Sequence, residues 1–487
     1  MTWNRREVLG SLGLASASAL LWGFSGCGAP QRPARRDDES SGEVREWLQN
    51  AVATLHGAGF ARAHALAVSR RRATAAVDVL GPSIARAHAD AVVLAVEDAR
   101  GMREHATAQL SADGIAAAVR VLAPKAAAPA RIEFGPPPAP VAAPRPDVDE
   151  LTDQSLVDRA AALEQRDLAS RIVYSAALLD IDDATVWSIA RGHDRVQRLV
   201  RVRRALTRVA WRGAQPSASE IARAWIGGVD DQTLDDAQLA SARDTALELM
   251  TPGAFADGEH PFVLAPAVAA AVADAAVRAY LTTAALRRPE VARRRATPLS
   301  PALHLVDDPT VPDAYGGFHF DDEGERAEPI VLIDRGRIAG VLADRAGVVD
   351  QLAPSAGRGR RPGHAGPVEP MPSHLRLAPG ASAIALGDGY LLEGSRGAVV
   401  DPASDRAVIA VARARELTNG RPTGRVYADV ELVGPLAQLL GAITEASLET
   451  HAFGLRDEVD GLPRWRSIEA PYLRGSGWLR ARKSTFT

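Results

Sequence analysis

Residues 306–345 read VDDPTVPDAYGGFHFDDEGERAEPIVLIDRGRIAGVLADR. Two short apolar runs, 330–333 and 338–343, flank Asp334-Arg335-Gly336, a turn signal of the kind that closes an antiparallel hairpin. Pro, Gly and Asp cut the rest into pieces too short for helices. The same texture fills residues 300–487, in GYLLEGSRGAVVDP (389–402), RAVIAVARARELTNGRPTGRV (406–426) and DVELVGPLAQLLGAI (429–443), with a second hairpin signal at Asn419-Gly420. This half predicts a mainly antiparallel β domain.

Just upstream, LAPAVAAAVADAAVRAYL (264–281) predicts a helix with Pro266 in its first turn and Val268, Val272 and Ala276 on one face. Asp274 and Arg278 stand i,i+4, which suggests a surface ion pair contributing only a few tenths of a kcal/mol. Further upstream, residues 44–58 read as a helix, 61–80 and 90–97 as strands, and 111–122 as a helix opened by Ser111 or Asp113. The Pro/Ala-rich stretch 123–147 predicts an extended insertion. Further helices are expected at 149–164, in an Arg-rich segment at 194–209, at 217–225 opened by Ser217 or Ser219, and at 236–250, closed by Pro252-Gly253. The fold class is therefore α+β: an N-terminal α/β and helical region, 44–252, followed by the β-rich domain 253–487.

The whole chain of 487 residues carries a net charge of −3, which gives no pull toward nucleic acid. A single cysteine, Cys27, excludes an internal disulfide and any multi-cysteine metal cluster. Residues 1–27 place Arg5-Arg6 before an apolar, small-residue run that ends at Cys27. This resembles a twin-arginine export signal joined to a lipoprotein cleavage box. It implies a mature protein that begins at a lipidated Cys27 and is held at the cell envelope through a polar tether, 28–43. Neither a P-loop, a GxSxG elbow nor a Rossmann fingerprint occurs in the sequence.

The motifs of 306–345 are similar to those of the TldD/PmbA family, which shows a progression of VDD, DDEG and an LI–G–L–G–L–D hairpin. The similarity extends through GRGRRPG (357–363), PMPSHLRLAPG (370–380), LTNG followed by VELVGP, and upstream into ALELMTPGAFADGEHPFVLAP (246–266). The resemblance implies a barrel-like C-terminal domain and a dimer, either of identical chains or with an HExxxH-bearing TldD-like subunit. It also implies peptide substrates and, in active members, a zinc centre built from an HExxxH helix and a downstream cysteine. Here the hexad falls on residues 274–279, so that Asp274, Ala275 and Ala279 occupy the positions of the first His, the Glu and the second His. No cysteine occurs near 453–455. The resemblance thus implies a chain without a zinc cofactor, acting as a partner subunit or peptide binder. Arg360 and Arg361, able to grip carboxylates bidentately, and Ser373 and His374, at the family's substrate-proximal stretch, are candidates for the peptide cleft. Two other readings stay open. One is a peptidase with zinc relocated to His304, His319, Asp321 and Asp322, although acidic residues ending in Gly are more often a turn. The other is a standalone binding lipoprotein.

Overall fold

Alternating side chains build the first half of the chain into a sheet with both faces covered. A computed structural model describes residues 37–482 apart from 100, 126, 137–147, 165–170, 213–214, 296, 350–352, 354, 362–365, 385–386 and 460–461. The leader with Arg5, Arg6 and Cys27, much of the tether and much of the Pro/Ala-rich insertion lie outside the described residues. Helix α1 (Asp37–Gly57) leads into β1 (Arg62–Asp78), β2 (Gly81–Asp98) and β3 (Gly101–Thr107), then α2 (Ala112–Leu122) and α3 (Asp153–Glu164). Strands β4 (Ile172–Ala190), β5 (His193–Arg212) and β6 (Gln215–Ile226) complete a six-stranded sheet in the order β3-β2-β1-β4-β5-β6. Every pairing in it is antiparallel. Ser111 caps α2 by accepting the Gly114 N–H. On one sheet face Leu48, Leu55, Ile115 and Val119 from the helices bury Ala65, Leu94 and Ile189. The alternate residues, including Leu66, Val186 and Leu199, turn toward the second half of the chain.

The segments 194–209 and 217–225, expected as helices, are the strands β5 and β6. Arginines on both faces of β5 hide its period of two. Arg198 bonds Asp183 on one face, and Arg201 reaches across to the second half of the chain on the other. A strand whose polar positions are satisfied by a neighbouring strand and by another domain does not show the usual polar/apolar alternation.

Helix α4 (Asp236–Glu248) opens with a capping box, Asp235 with Gln238, and leads toward β7 (Gly258–Leu264). Next come α5 (Pro266–Tyr280), β8 (Leu305–Asp307), β9 (Ile330–Asp334), β10 (Arg337–Ile338), β11 (Gly359–Arg360), β12 (Glu369–Pro370) and β13 (His374–Leu377). The long strands β14 (Gly389–Asp401), β15 (Arg406–Thr418), β16 (Arg421–Pro435), β17 (Glu445–Val459) and β18 (Leu462–Ala481) finish the chain. Strand β18 pairs with both β16 and β7, and β7 with β14, so β7-β14-β15-β16-β18 closes into a ring. The hairpin turns Arg335-Gly336 and Asn419-Gly420 both have two consecutive positive φ values, the conformation that matches strand twist. Helix α5 packs among these strands and is buried on nearly every side, only Arg278 being exposed. A helix apolar all round belongs in a core, and alanine lets the surrounding strands approach closely. Among the described residues no helix is long and apolar enough to cross a membrane.

Candidate functional site

Asp274 is the one charged residue buried in α5, at 4% exposure. Its carboxylate accepts from Arg278 Nε at 2.9 Å and from Arg466 Nη1 at 2.6 Å. This corrects the reading of a surface pair: the partner across 192 residues is buried too. Strand register adds a third contributor, because Leu455 faces Arg466 across β17 and β18, with Gly454 and Phe453 opposite Ser467 and Ile468. Strand register thus sets the stretch 453–455 beside the segment of β18 whose Arg466 reaches Asp274. The donor set does not fit zinc. Ala275 and Ala279 offer no ligand, and the one carboxylate is already held by two positive charges. A divalent cation would have to displace a buried arginine.

The acidic turn and the glycine-arginine loop, distant in sequence, are clamped to each other. Asp321 accepts the N–H groups of Glu323 and Glu325 on one oxygen and that of Gly359 on the other. Asp322 accepts from the Arg361 N–H at 2.7 Å. Burial, reinforced by Glu323, pushes the Asp321 carboxyl up to about 8. Gly324 has φ +80°, and a Cβ there would fall 2.3 Å from the Ser188 hydroxyl, so only glycine fits this contact with the N-terminal sheet.

Ser188 lies between two imidazoles, 2.8 Å from His64 Nε2 and 3.2 Å from His193 Nε2. Burial holds His64 well below the usual imidazole range, with His193 adding to the effect. Burial and Arg195 lower His193 to about 4. Both rings are therefore neutral in the fold. Below about pH 6.5 the unfolded chain protonates them while the folded chain does not, so stability present above that pH is lost as pH falls toward 4. From pH 7 to 5, His193 is expected to remove about 1–2 kcal/mol after allowing for its partial exposure. Urea unfolding at the two pH values should show a smaller loss for His193→Gln; an unchanged loss would refute this assignment.

Between the free sheet face and the β-rich domain lies a cleft open to solvent. Leu66, Val93, Val186 and Leu199 come from the sheet, and Phe318, Phe320 and Met371 from the other wall. Arg70, Arg201, Arg360, Arg361 and Arg464 also line it. The guanidiniums of Arg70 and Arg201 each lie 4.6 Å from the centre of the Trp465 ring, and that of Arg360 lies 4.8 Å from Phe318. Two side chains tie the walls together. Arg201 donates to the carbonyls of Tyr315 and Gly317, both at 2.9 Å, and Gln197 bonds the Phe320 carbonyl and the His319 N–H.

Of the residues singled out in the sequence, Arg360 and Arg361 line this cleft, while Ser373 and His374 lie behind its wall. Ser373 donates to Asp307 and His374 bonds the Ser467 hydroxyl, both side chains being buried. His304, His319, Asp321 and Asp322 do not form a relocated metal centre. His304 turns to Asp334, His319 is exposed, and the two acids are consumed by backbone N–H groups. No group of three such residues able to hold a metal occurs among the described residues. Sequence reasoning did not find Arg70, Arg201, Trp465 or Arg466, none of which carries a local motif.

Residues 257–478 match the PmbA/TldA metallopeptidase C-terminal domain. Over 141 residues the chain is 29% identical to a metalloprotease of Methanocaldococcus jannaschii, a stretch that covers 28% of this chain and 31% of that relative. The match thus spans about a third of that curated protein's length. Three solved structures share the fold across 91% of this chain. Two are described as candidate modulators of DNA gyrase, from Thermotoga maritima (TM-score 0.71, 13% identity, 100% of that chain) and Bacteroides thetaiotaomicron (0.70, 13%, 99%). The third is TldE from Thermococcus kodakarensis (0.67, 15%, 100%). At these identities the structures speak to fold alone, while the domain match covers the ring of strands, α5 and the clamped loops. The chain thus carries a PmbA/TldA-type C-terminal domain at 257–478 and is similar to the PmbA/TldD family.

Proposed function

We propose that this chain is a non-catalytic member of its family, exported and lipid-anchored through Cys27, that holds peptides or serves as the partner of a zinc-bearing subunit. The observation that carries this reading is the Arg466 guanidinium on Asp274, at the place where the family's metal ligands would meet. A buried cation paired to the Asp274 carboxylate supplies the positive charge a metal would bring, but it offers no open position for water and no Lewis acidity. With Ala275 at the glutamate position there is also no base to take a proton from water. The leader motifs support export, and the family's paired subunits support a partner role.

The test is purification of the full-length protein from solubilised membranes, with metal analysis and a peptide-cleavage assay with and without chelator. We expect zinc well below stoichiometry, no chelator-sensitive cleavage, and loss of membrane recovery for Cys27→Ser. Stoichiometric zinc with chelator-sensitive cleavage would overturn the reading. Co-purification of an HExxxH-bearing relative would decide for the partner role over the solitary binder.

A further inference from the structure

We infer that the cleft between the two halves of the chain is a binding site for an apolar molecule ending in a single carboxylate. The charge balance of its lining points to one anion. Four of its five arginines have carboxylate partners: Arg70 with Asp182 at 3.5 Å, Arg360 with Asp322 at 3.6 Å, Arg361 with Glu104, and Arg464 with Glu369 at 3.2 Å. Arg201 makes no ion pair within 4 Å with any described residue, and it donates to the backbone carbonyls of Tyr315 and Gly317. Asp182 faces both Arg70 and Arg201, so five cations share four carboxylates, and Arg201, a residue only 3% exposed, is left with the weakest compensation. Burial and the neighbouring Arg360 lower the Arg201 pKa to about 9, as expected for a cation whose charge is incompletely compensated.

Hydrogen-bonding capacity points the same way. The Nε atoms of Arg361 and Arg464 and the Nε1 of Trp465 are buried donors without a hydrogen-bond partner, whereas Arg70 Nε has Asp182 beside it at 3.5 Å. None of these groups can accept, so a ligand that satisfies them must bring acceptors, and a carboxylate has about four acceptor sites. Asp182, whose oxygens also lack hydrogen bonds, is held by Arg70 and is not part of the cleft lining. The remaining surface is apolar and aromatic, from Leu66, Val186, Leu199, Phe318 and Phe320. A largely apolar cleft with a few convergent polar groups is the usual form of a small-ligand site. The C-terminal residue of an apolar peptide and a free fatty acid share this chemistry.

The inference rests on the peptide-holding reading only for the choice between these two sources, and its test involves neither zinc nor hydrolysis. Calorimetric titration of the purified full-length protein would compare a short apolar peptide with a free C-terminus against its C-terminal amide, and decanoic acid against decanol. Binding by an acid at least about tenfold tighter than by its neutral counterpart is expected, and the acid that shows it identifies the source. Arg360→Gln should weaken that acid by about tenfold, and Arg360→Lys by less. Equal affinity for acid and neutral forms, no binding by either acid, or an unchanged affinity in folded Arg360→Gln would overturn the proposal. The comparison on the unmodified protein decides even if the variant does not fold. Failure here would leave the argument from Asp274 and Arg466 intact, and a zinc-loaded, cleaving protein would leave this one intact.

Discussion

Arg466→Met is expected to destabilise the fold by about 3–5 kcal/mol, toward the lower end because Arg278 remains on Asp274. Methionine keeps much of the volume, so the loss comes from leaving a carboxylate buried at 4% exposure with one half-exposed partner. The double variant Asp274→Ala/Arg466→Met removes both charges and should recover more than half of the loss. Breaking a buried pair is costly, whereas replacing it whole is often nearly neutral. Urea unfolding of the four proteins of this cycle, with matched slopes, gives the coupling directly. A single variant within about 1 kcal/mol of the parent would show that the pair does not hold α5 to β18. The functional meaning follows from the same energetics. If the pair is this strongly coupled, installing a metal at this place would need several simultaneous substitutions, because each alone strands a buried charge.

What could be read from the sequence was what nearest neighbours decide. Both hairpins were marked by turn residues that tolerate positive φ, Arg335-Gly336 and Asn419-Gly420. Helix α4 was marked by the Pro252-Gly253 stop beyond its end and α5 by length and composition. The β5 and β6 strands were misread because their arginines are satisfied by strand β4, helix-side loops and the other domain, none of which a local pattern reveals. The site divided in the same way. Arg360 and Arg361 stood out as a basic loop and do line the cleft, but Arg201 looked like one arginine among many in an arginine-rich segment. Its role depends on the carbonyls of Tyr315 and Gly317, more than a hundred residues away. A pairwise signal did exist: arginines at 70 and 72 alternate as do the aspartates at 180 and 182, the arrangement of two adjacent strands exchanging charge on one face.

The largest loss of stability is expected from Arg358→Met. Arg358 and Asp307 are both fully buried and joined as an ion pair. The same guanidinium donates to the carbonyls of Gly357, Asp307 and Glu328, while the same carboxylate accepts the N–H and hydroxyl of Ser373, both at 2.8 Å. Methionine would therefore strand a fully buried charge and three carbonyls, which puts the cost at about 5 kcal/mol or more. Lysine should restore less than half of it, because a point charge cannot serve carboxylate and carbonyls in the same fork. The damage should also be directional. Arg358 precedes the loop that carries Arg360 and Arg361, and its carbonyl accepts the N–H of Met371, so the C-terminal wall of the cleft depends on it. In Arg358→Lys the amides of Gly359 and Met371 should lose hydrogen-exchange protection by more than the drop in global stability. Those of α5, held by its own contacts in the ring of strands, should follow the global value. If all of these amides lost protection equally, Arg358 would be a general core residue and not the support of the cleft wall.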